Sequence, residues 1–207
     1  MIKDIKLQYQ ELYNLLDRIR KDVNIIICCG QHDASRLSEP QPPINKIYAE
    51  PVYNLKNAFF VSNPSLVNIH SSRNFEGFNI LMYHGASFHY YIDNIESLRT
   101  SNSRDNPHHV LKYLLIKRHV APSHGSTLFV PDVDYDPLVI ERVPDVFVCG
   151  DMHRSDVSKY KDTILINCSC WQAKTAFQEK TGNNPDPGKV PVLNLKTREV
   201  KVIKFIE

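Results

Sequence analysis

Apolar residues recur along the chain with the period of an α-helix in several segments. Near the amino terminus, the residues at three- and four-residue spacing are Ile5, Tyr9, Leu12, Leu16 and Ile19. Because charged residues lie between them, this spacing predicts an amphipathic helix with one apolar face. Three later segments also have helical patterns: YIDNIESLRT, NPHHVLKYLLIKRH and the shorter WQAKTAFQEK.

Short, continuous apolar runs predict buried strands at four places: VNIIICC, FNILMYHG, PDVFVCG and DTILINCS. The segment NAFFVSNPSLVNIHSS predicts two short strands joined by the Asn63-Pro64 turn. The tail, KVPVLNLKTREVKVIKFI, predicts a hairpin, and GQHDASRLSEPQPP a polar, proline-rich loop. Strands and helices are mixed without a repeat, so the sequence predicts one α/β domain.

Composition excludes several classes of protein. The 207 residues are 42% hydrophobic and carry a net charge of +2, which is ordinary for a globular domain and indicates no general affinity for nucleic acid. The longest apolar run is far shorter than the roughly 18 residues of a membrane span. Five cysteines without C-x-x-C spacing predict reduced thiols and a cytoplasmic protein.

Three of the predicted strands end in residues that can bind metal ions. The three ends read IIICCG-QHD, NILMYHG and DVFVCG-DMH, and the polar residues that they deliver are Gln31, His32, Asp33, His84, Asp151 and His153. Because functional side chains of α/β folds gather at strand ends, we expect these residues to lie close together. Imidazoles and carboxylates bind Mn²⁺, Zn²⁺ or iron, and a pair of such ions can cleave phosphodiesters.

Each of these residues also has a purely structural alternative. His84 could be a core histidine bonded to a carbonyl, and Asp33 could cap the turn that follows it. Asp151 and His153 could be solvated turn residues. The recurrence of three histidine-bearing strand ends in one chain favours the metal site.

The motifs G-Q-H-D, Y-H-G and G-D-M-H resemble the later motifs of the calcineurin-like metallophosphoesterases, usually G-N-H-D/E, a lone histidine and G-H-x-H. Flanking segments, among them LVIERVPDVFVCGDMH and LINCSCWQAKTAFQEKTGNNPDPGKVPVLNL, resemble the small subunits of archaeal family-D DNA polymerases in order over nearly the whole chain. The resemblance implies an α/β fold: the C-terminal portion of a calcineurin-like metallophosphoesterase β-sandwich flanked by helices.

The resemblance also implies a 3′–5′ proofreading exonuclease with two divalent ions, typically manganese. By position, His32 matches the residue that protonates or stabilises the leaving group, and Asp33 its orienting partner. The expected metal ligands are Gln31, His84, Asp151 and His153.

Three departures from the family pattern stand out. Gln31 replaces an asparagine and is one methylene longer, and Asp151 replaces a neutral histidine with a shorter, charged side chain. The early motifs D-x-H and G-D-x-x-D are absent, as is the N-terminal oligonucleotide-binding domain. The letters Asp151-Met152-His153 fit D-x-H, but no G-D-x-x-D follows them. We therefore interpret residues 1–207 as a partial phosphoesterase domain.

Two functions remain open at this point. In the first, the chain contributes half of an exonuclease site that a separate chain with the missing N-terminal half completes, so the isolated chain is expected to be inactive. In the second, it is an inactive scaffold that binds the large catalytic subunit. A stand-alone phosphoesterase is disfavoured by the flanking segments.

Partners follow from the same resemblance: the large subunit, the separate chain and DNA, with no membrane. The missing strands would leave an apolar sheet edge beside VNIIICC that needs cover. Lys117, Arg118 and His119 follow a predicted helix and could contact a DNA phosphate, although a solvated helix end is an equal alternative.

Overall fold

The computed structural model describes residues 2–180 and 182–206. In chain order these residues form α1 (Ile5–Leu16), β1 (Ile25–Cys28), α2 (Lys46–Tyr53), β2 (Ala58–Val61), β3 (Ser65–Ile69), β4 (Phe78–Tyr83), α3 (Phe88–Asn94), α4 (Glu96–Thr100), α5 (His108–Lys117), β5 (Val146–Cys149), β6 (Asp156–Tyr160), β7 (Thr163–Asn167), α6 (Ala176–Lys180), β8 (Lys189–Leu193) and β9 (Val200–Lys204). Within this part of the chain, no helix is long and apolar enough to cross a membrane.

The larger sheet has five strands in the order β3-β4-β5-β7-β6. Its three central strands run parallel, and the two outer strands are antiparallel to their neighbours. Parallel strands are usually covered on both faces, which explains why β4, β5 and β7 read as continuous apolar runs. On one face, Phe147 and Leu165 pack with residues of α3 and α5 in the main core. On the other, Val146 and Ile164 pack against Leu193 of the β8–β9 hairpin.

Strands β1 and β2 form a separate parallel pair, in which Ile25 lies opposite Ala58 and Cys28 opposite Val61. Helices α1 and α2 cover this pair through a smaller core that includes Tyr9, Cys29 and Ala49. Among the described residues, β1 pairs with no strand other than β2. The other edge of β1 therefore has no strand beside it.

The α/β class and most of the predicted elements are confirmed, including the hairpin in the tail. Two elements were missed. Helix α2 contains Pro51 and a non-helical residue, Ala49, so its sequence lacks a regular helical pattern; Asn45 begins it by accepting a hydrogen bond from Ile47 N–H. Strand β6, DVSKY, has one aliphatic residue and no clear alternation.

Candidate functional site

The ends of β1, β4 and β5 bring three of the predicted site residues together. Gln31 Nε2 donates a hydrogen bond of 3.0 Å to Asp151 Oδ1, although the two residues are 120 positions apart. His84 Nε2 lies 3.4 Å from the same oxygen. This nitrogen is buried and has no hydrogen-bond partner within residues 2–180 and 182–206.

Local backbone geometry allows this close approach. A Cβ atom at Gly30 would lie 2.7 Å from ring atoms of His84, so only glycine fits there without displacing the imidazole. The Gly150 N–H donates to the carbonyl of His84 at 2.9 Å, which ties the end of β5 to the end of β4. Asp151 then adopts a left-handed backbone with φ of 62°, a conformation that aspartate tolerates better than most residues.

His153 contacts a different part of the chain. Its backbone is also left-handed, with φ of 55°. Its Nδ1 lies 2.8 Å from Nε2 of Gln178, and its carbonyl accepts a hydrogen bond from Asp186 N–H. These contacts hold His153 against the segment that follows β7, and no ion pair or hydrogen bond in the described residues joins it to Asp151.

The two expected catalytic residues, His32 and Asp33, have different environments in the structure. His32 is exposed, whereas both oxygens of Asp33 are engaged inside the protein. Asp33 accepts hydrogen bonds from Tyr9 Oη at 2.9 Å and from Gly30 N–H at 2.8 Å. Burial raises the pKa of Tyr9, so its hydroxyl stays protonated and donates. This geometry matches the turn-capping alternative for Asp33; its orientation of His32 stays a prediction.

The described part of this chain does not fit a complete two-metal centre. It contains no group of three or more His, Cys, Asp or Glu side chains arranged to hold a metal ion. His84 and Asp151 offer one imidazole and one carboxylate, and Gln31 directs its amide N–H₂ at that carboxylate. Protein sites for Zn²⁺, Mg²⁺ or Ca²⁺ use roughly four ligands or more per ion, so further ligands would have to come from elsewhere.

Sequence analysis missed His89. Its Nε2 lies 3.8 Å from Asp151 Oδ2, so the carboxylate has an imidazole on each side. His89 belongs to the first turn of α3, five residues after His84. A histidine in the helix that directly follows a site strand was the signal that could have identified it.

A second missed feature lies in the segment predicted as a polar loop. Glu39 is only 1% exposed and Gln41 2% exposed, so this segment enters the interior. Burial raises the pKa of Glu39 to about 7, against smaller opposing effects that include a hydrogen bond from Tyr83. Both residues adjoin the site, because Gln41 contacts Gly30 and Glu39 contacts Tyr83.

The three residues predicted to contact DNA make contacts within the chain. Lys117 lies over the Tyr113 ring. Arg118 ends α5 in a left-handed conformation, and its guanidinium donates to the carbonyls of Ile140 and Glu141. His119 Nε2 lies 2.9 Å from an oxygen of Asp136. Arg118 and His119 therefore each have a structural role, as the last residue of α5 and as the partner of Asp136. Binding of DNA by the three residues stays a prediction.

Comparison of the amino-acid sequence with known proteins identifies the chain as a member of a class of polymerase components. Residues 3–158 match the family model that describes the B subunits of DNA polymerases alpha and epsilon. The chain belongs to this family.

Archaeal relatives narrow the comparison within that family. The chain is 38% identical over 205 residues to the DNA polymerase II small subunit of Pyrococcus furiosus, covering 99% of this chain and 32% of the relative. It is 39% identical over 194 residues to the protein of the same name from Methanothermobacter thermautotrophicus, covering 94% and 38%. The resemblance to archaeal small subunits is thus confirmed, and the chain spans about a third of the length of these relatives.

Proposed function

We propose that this chain is a component of a DNA polymerase small subunit and that it acts by binding other polypeptides, among them a large catalytic subunit. The observation that carries the proposal is the unpaired edge of β1. Membership in a family of polymerase B subunits supports it.

The β1–β2 pair has the properties of an incomplete sheet. All four residues of β1 are partly exposed, and Phe59, opposite Ile26 on β2, is 50% exposed. Two strands alone are marginally stable, and an unpaired edge with apolar side chains invites another strand. We propose that a strand from outside the described residues pairs with this edge and extends the sheet, as a calcineurin-like β-sandwich would require.

This proposal is tested by changing the exposed apolar face of the pair. Phe59→Lys should weaken assembly with the large subunit by about tenfold or more if this face is covered in the assembly, because an unpaired buried charge is costly. The matched control is Leu66→Lys on β3, since Leu66 is 45% exposed. Equal affinities of both variants and the unchanged chain, measured by analytical ultracentrifugation, would exclude this face as the interface.

A second candidate function, a 3′–5′ proofreading exonuclease, is favoured by Nε2 of His84, which is buried without a hydrogen-bond partner in the described part of the chain and lies 3.4 Å from Asp151 Oδ1. In it, His84 and Asp151 would hold a divalent ion, with manganese expected and the remaining ligands supplied from outside the described residues. Such an ion would stabilise the developing charge of a cleaved phosphodiester. Gln31 would orient the Asp151 carboxylate through its hydrogen bond.

The second function is tested on the complete assembly with a mismatched DNA primer and Mn²⁺. Degradation from the 3′ end that His84→Ala abolishes would support a split nuclease, and Mn²⁺ binding measured by calorimetry should weaken in the same variant. An assembly that polymerises DNA but leaves the mismatch intact would support the scaffold alone.

A further inference from the structure

The candidate site lies between two sheets, so no hydrogen bonds between neighbouring strands fix the distance from Gln31 to His84 and Asp151. Gln31 follows β1 of the two-stranded pair, whereas His84 and Asp151 follow β4 and β5 of the larger sheet. The 3.0 Å bond between Gln31 and Asp151 nevertheless requires the two sheets to keep a defined register. Some other contact must provide that register.

Asn63 provides the contact to the larger sheet. It lies in the short connection between β2 and β3, where the chain passes from one sheet to the other, and is fully buried. Its Oδ1 accepts a hydrogen bond of 2.8 Å from the backbone N–H of His84. Its Nδ2 donates to Gln41 Oε1 at 2.7 Å and reaches Glu39 Oε1 at 3.5 Å.

Gln41 provides the contact to the other side of the site. Its Nε2 donates to the carbonyl of Gly30 at 3.3 Å, and its backbone exchanges two hydrogen bonds with that of Asn63. Glu39 completes the network, because its second oxygen accepts a hydrogen bond from Tyr83 Oη at 3.2 Å. One buried chain of hydrogen bonds therefore runs from the turn at Gly30 to the turn at His84.

The composition of this network indicates a geometric role. Asn63, Gln41 and Glu39 are each at most 2% exposed, and burying polar groups is unfavourable unless each is hydrogen-bonded. Apolar side chains would fill the same space without that penalty but would not define a single register. Satisfied polar networks restrict a core to one arrangement.

We propose that Asn63 is the positioning residue of the site and that, with Glu39 and Gln41, it holds Gln31 and His84 in register across the two sheets. Its importance for function rests on the proposed role of this site. Asparagine suits the position because one side chain offers an acceptor to His84 N–H and a donor to the Gln41 side chain.

The test observes the imidazole of His84 directly. In the 207-residue chain labelled at histidine, NMR signals of His84 are assigned by their loss in His84→Ala. Asn63→Ala should shift or broaden them, whereas signals of His108, which is bonded to Asp156 elsewhere, should stay in place and report an intact fold. The matched control is Asn79→Ala, at the opposite end of β4 and also buried.

Two further variants keep the inference open to refutation. Gln41→Met preserves side-chain length but removes the bonds to Gly30 and Arg36 and the bond accepted from Asn63, so it should perturb His84 even where Asn63→Ala fails to fold. Asn63→Asp keeps an acceptor for His84 N–H but loses the donor to Gln41 Oε1 and places a carboxylate beside Glu39, so it should also perturb the His84 signals. Unchanged His84 signals in folded Asn63→Ala or folded Gln41→Met would overturn the inference.

Activity separates this inference from the proposed function. If the complete assembly has nuclease activity, Asn63→Ala should lower kcat by about 10- to 100-fold, the usual cost of a lost supporting contact, with KM for DNA retained. If the unchanged assembly has no such activity, the exonuclease proposal fails, while the NMR result still decides the positioning role of Asn63.

Discussion

The five-stranded sheet and the β1–β2 pair differ in how completely each is buried within this chain. Every residue of β7 is buried, and the sheet has apolar cores on both faces. No residue of β1 is fully buried, and its outer edge lacks a strand among the described residues. The larger sheet is covered on both faces, whereas the smaller pair packs against α1 and α2 and stays partly exposed.

The candidate site combines residues from both regions. His84 and Asp151 follow strands of the well-buried sheet, and Gln31 follows a strand of the less buried pair. The geometry of the site is therefore no more rigid than the contacts between the two regions. Partner binding at β1 would therefore act on the site through the position of Gln31.

The largest difference in stability is expected between two variants that each replace one phenylalanine, one in the larger sheet and one in the β1–β2 pair. Phe147→Ala should lower the free energy of unfolding by about 3–5 kcal/mol, because Phe147 is fully buried in the main core. Phe59→Ala, at a half-exposed position, should cost less than about 1.5 kcal/mol. Urea denaturation of the two variants measures both values. Similar losses would show that the β1–β2 pair is buried as firmly as the larger sheet.

A pH effect of intermediate size is expected from Glu39, which lies between the regions. Its pKa is about 7 in the folded chain against an ordinary 4.5, so between these values unfolding releases a proton. Stability contributed by the protonated carboxyl is thus present below pH 4.5 and lost as the pH rises towards 7. The loss is on the order of 3 kcal/mol.

Glu39→Gln provides the measurement, because glutamine does not titrate. Urea unfolding at several pH values should show the variant gaining stability relative to the unchanged chain from pH 4.5 to 7. Groups remote from Glu39 cancel in this difference, while Tyr83 and His84, which interact with it, do not. A difference independent of pH would mean that burial does not raise the pKa of Glu39 above its ordinary value.

The smallest expected effect concerns the turn that carries Gln31. Asp33→Asn should destabilise the chain by about 1–2 kcal/mol, because it weakens the charge-assisted bonds from Tyr9 and Gly30. Tyr9→Phe removes the bond to Asp33 and also the bond that Tyr9 Oη accepts from Ala34 N–H, so it should cost a similar amount. A double-mutant cycle tests the pairing: additive losses would mean that Tyr9 and Asp33 are not coupled.

The elements that sequence analysis identified have strong local signals. Strands β4, β5 and β7 are continuous apolar runs, and α1 and α5 repeat apolar residues at helical spacing. Helix α2 was missed because its proline and flanking prolines obscure that spacing, and β6 because its side chains alternate weakly.

The amino-acid sequence alone determined the α/β class, most of the strands and helices, the three motif-bearing strand ends and the family, because these depend on local periodicity and on residues close together in the chain. The contacts between distant residues, in contrast, became known from the folded structure. Segments distant in sequence come together in four places. They form the Gln31–Asp151 bond, bring His89 close to Asp151, hold His153 away from Asp151 and bury Glu39. Such contacts depend on how two sheets pack, and no local pattern encodes that packing.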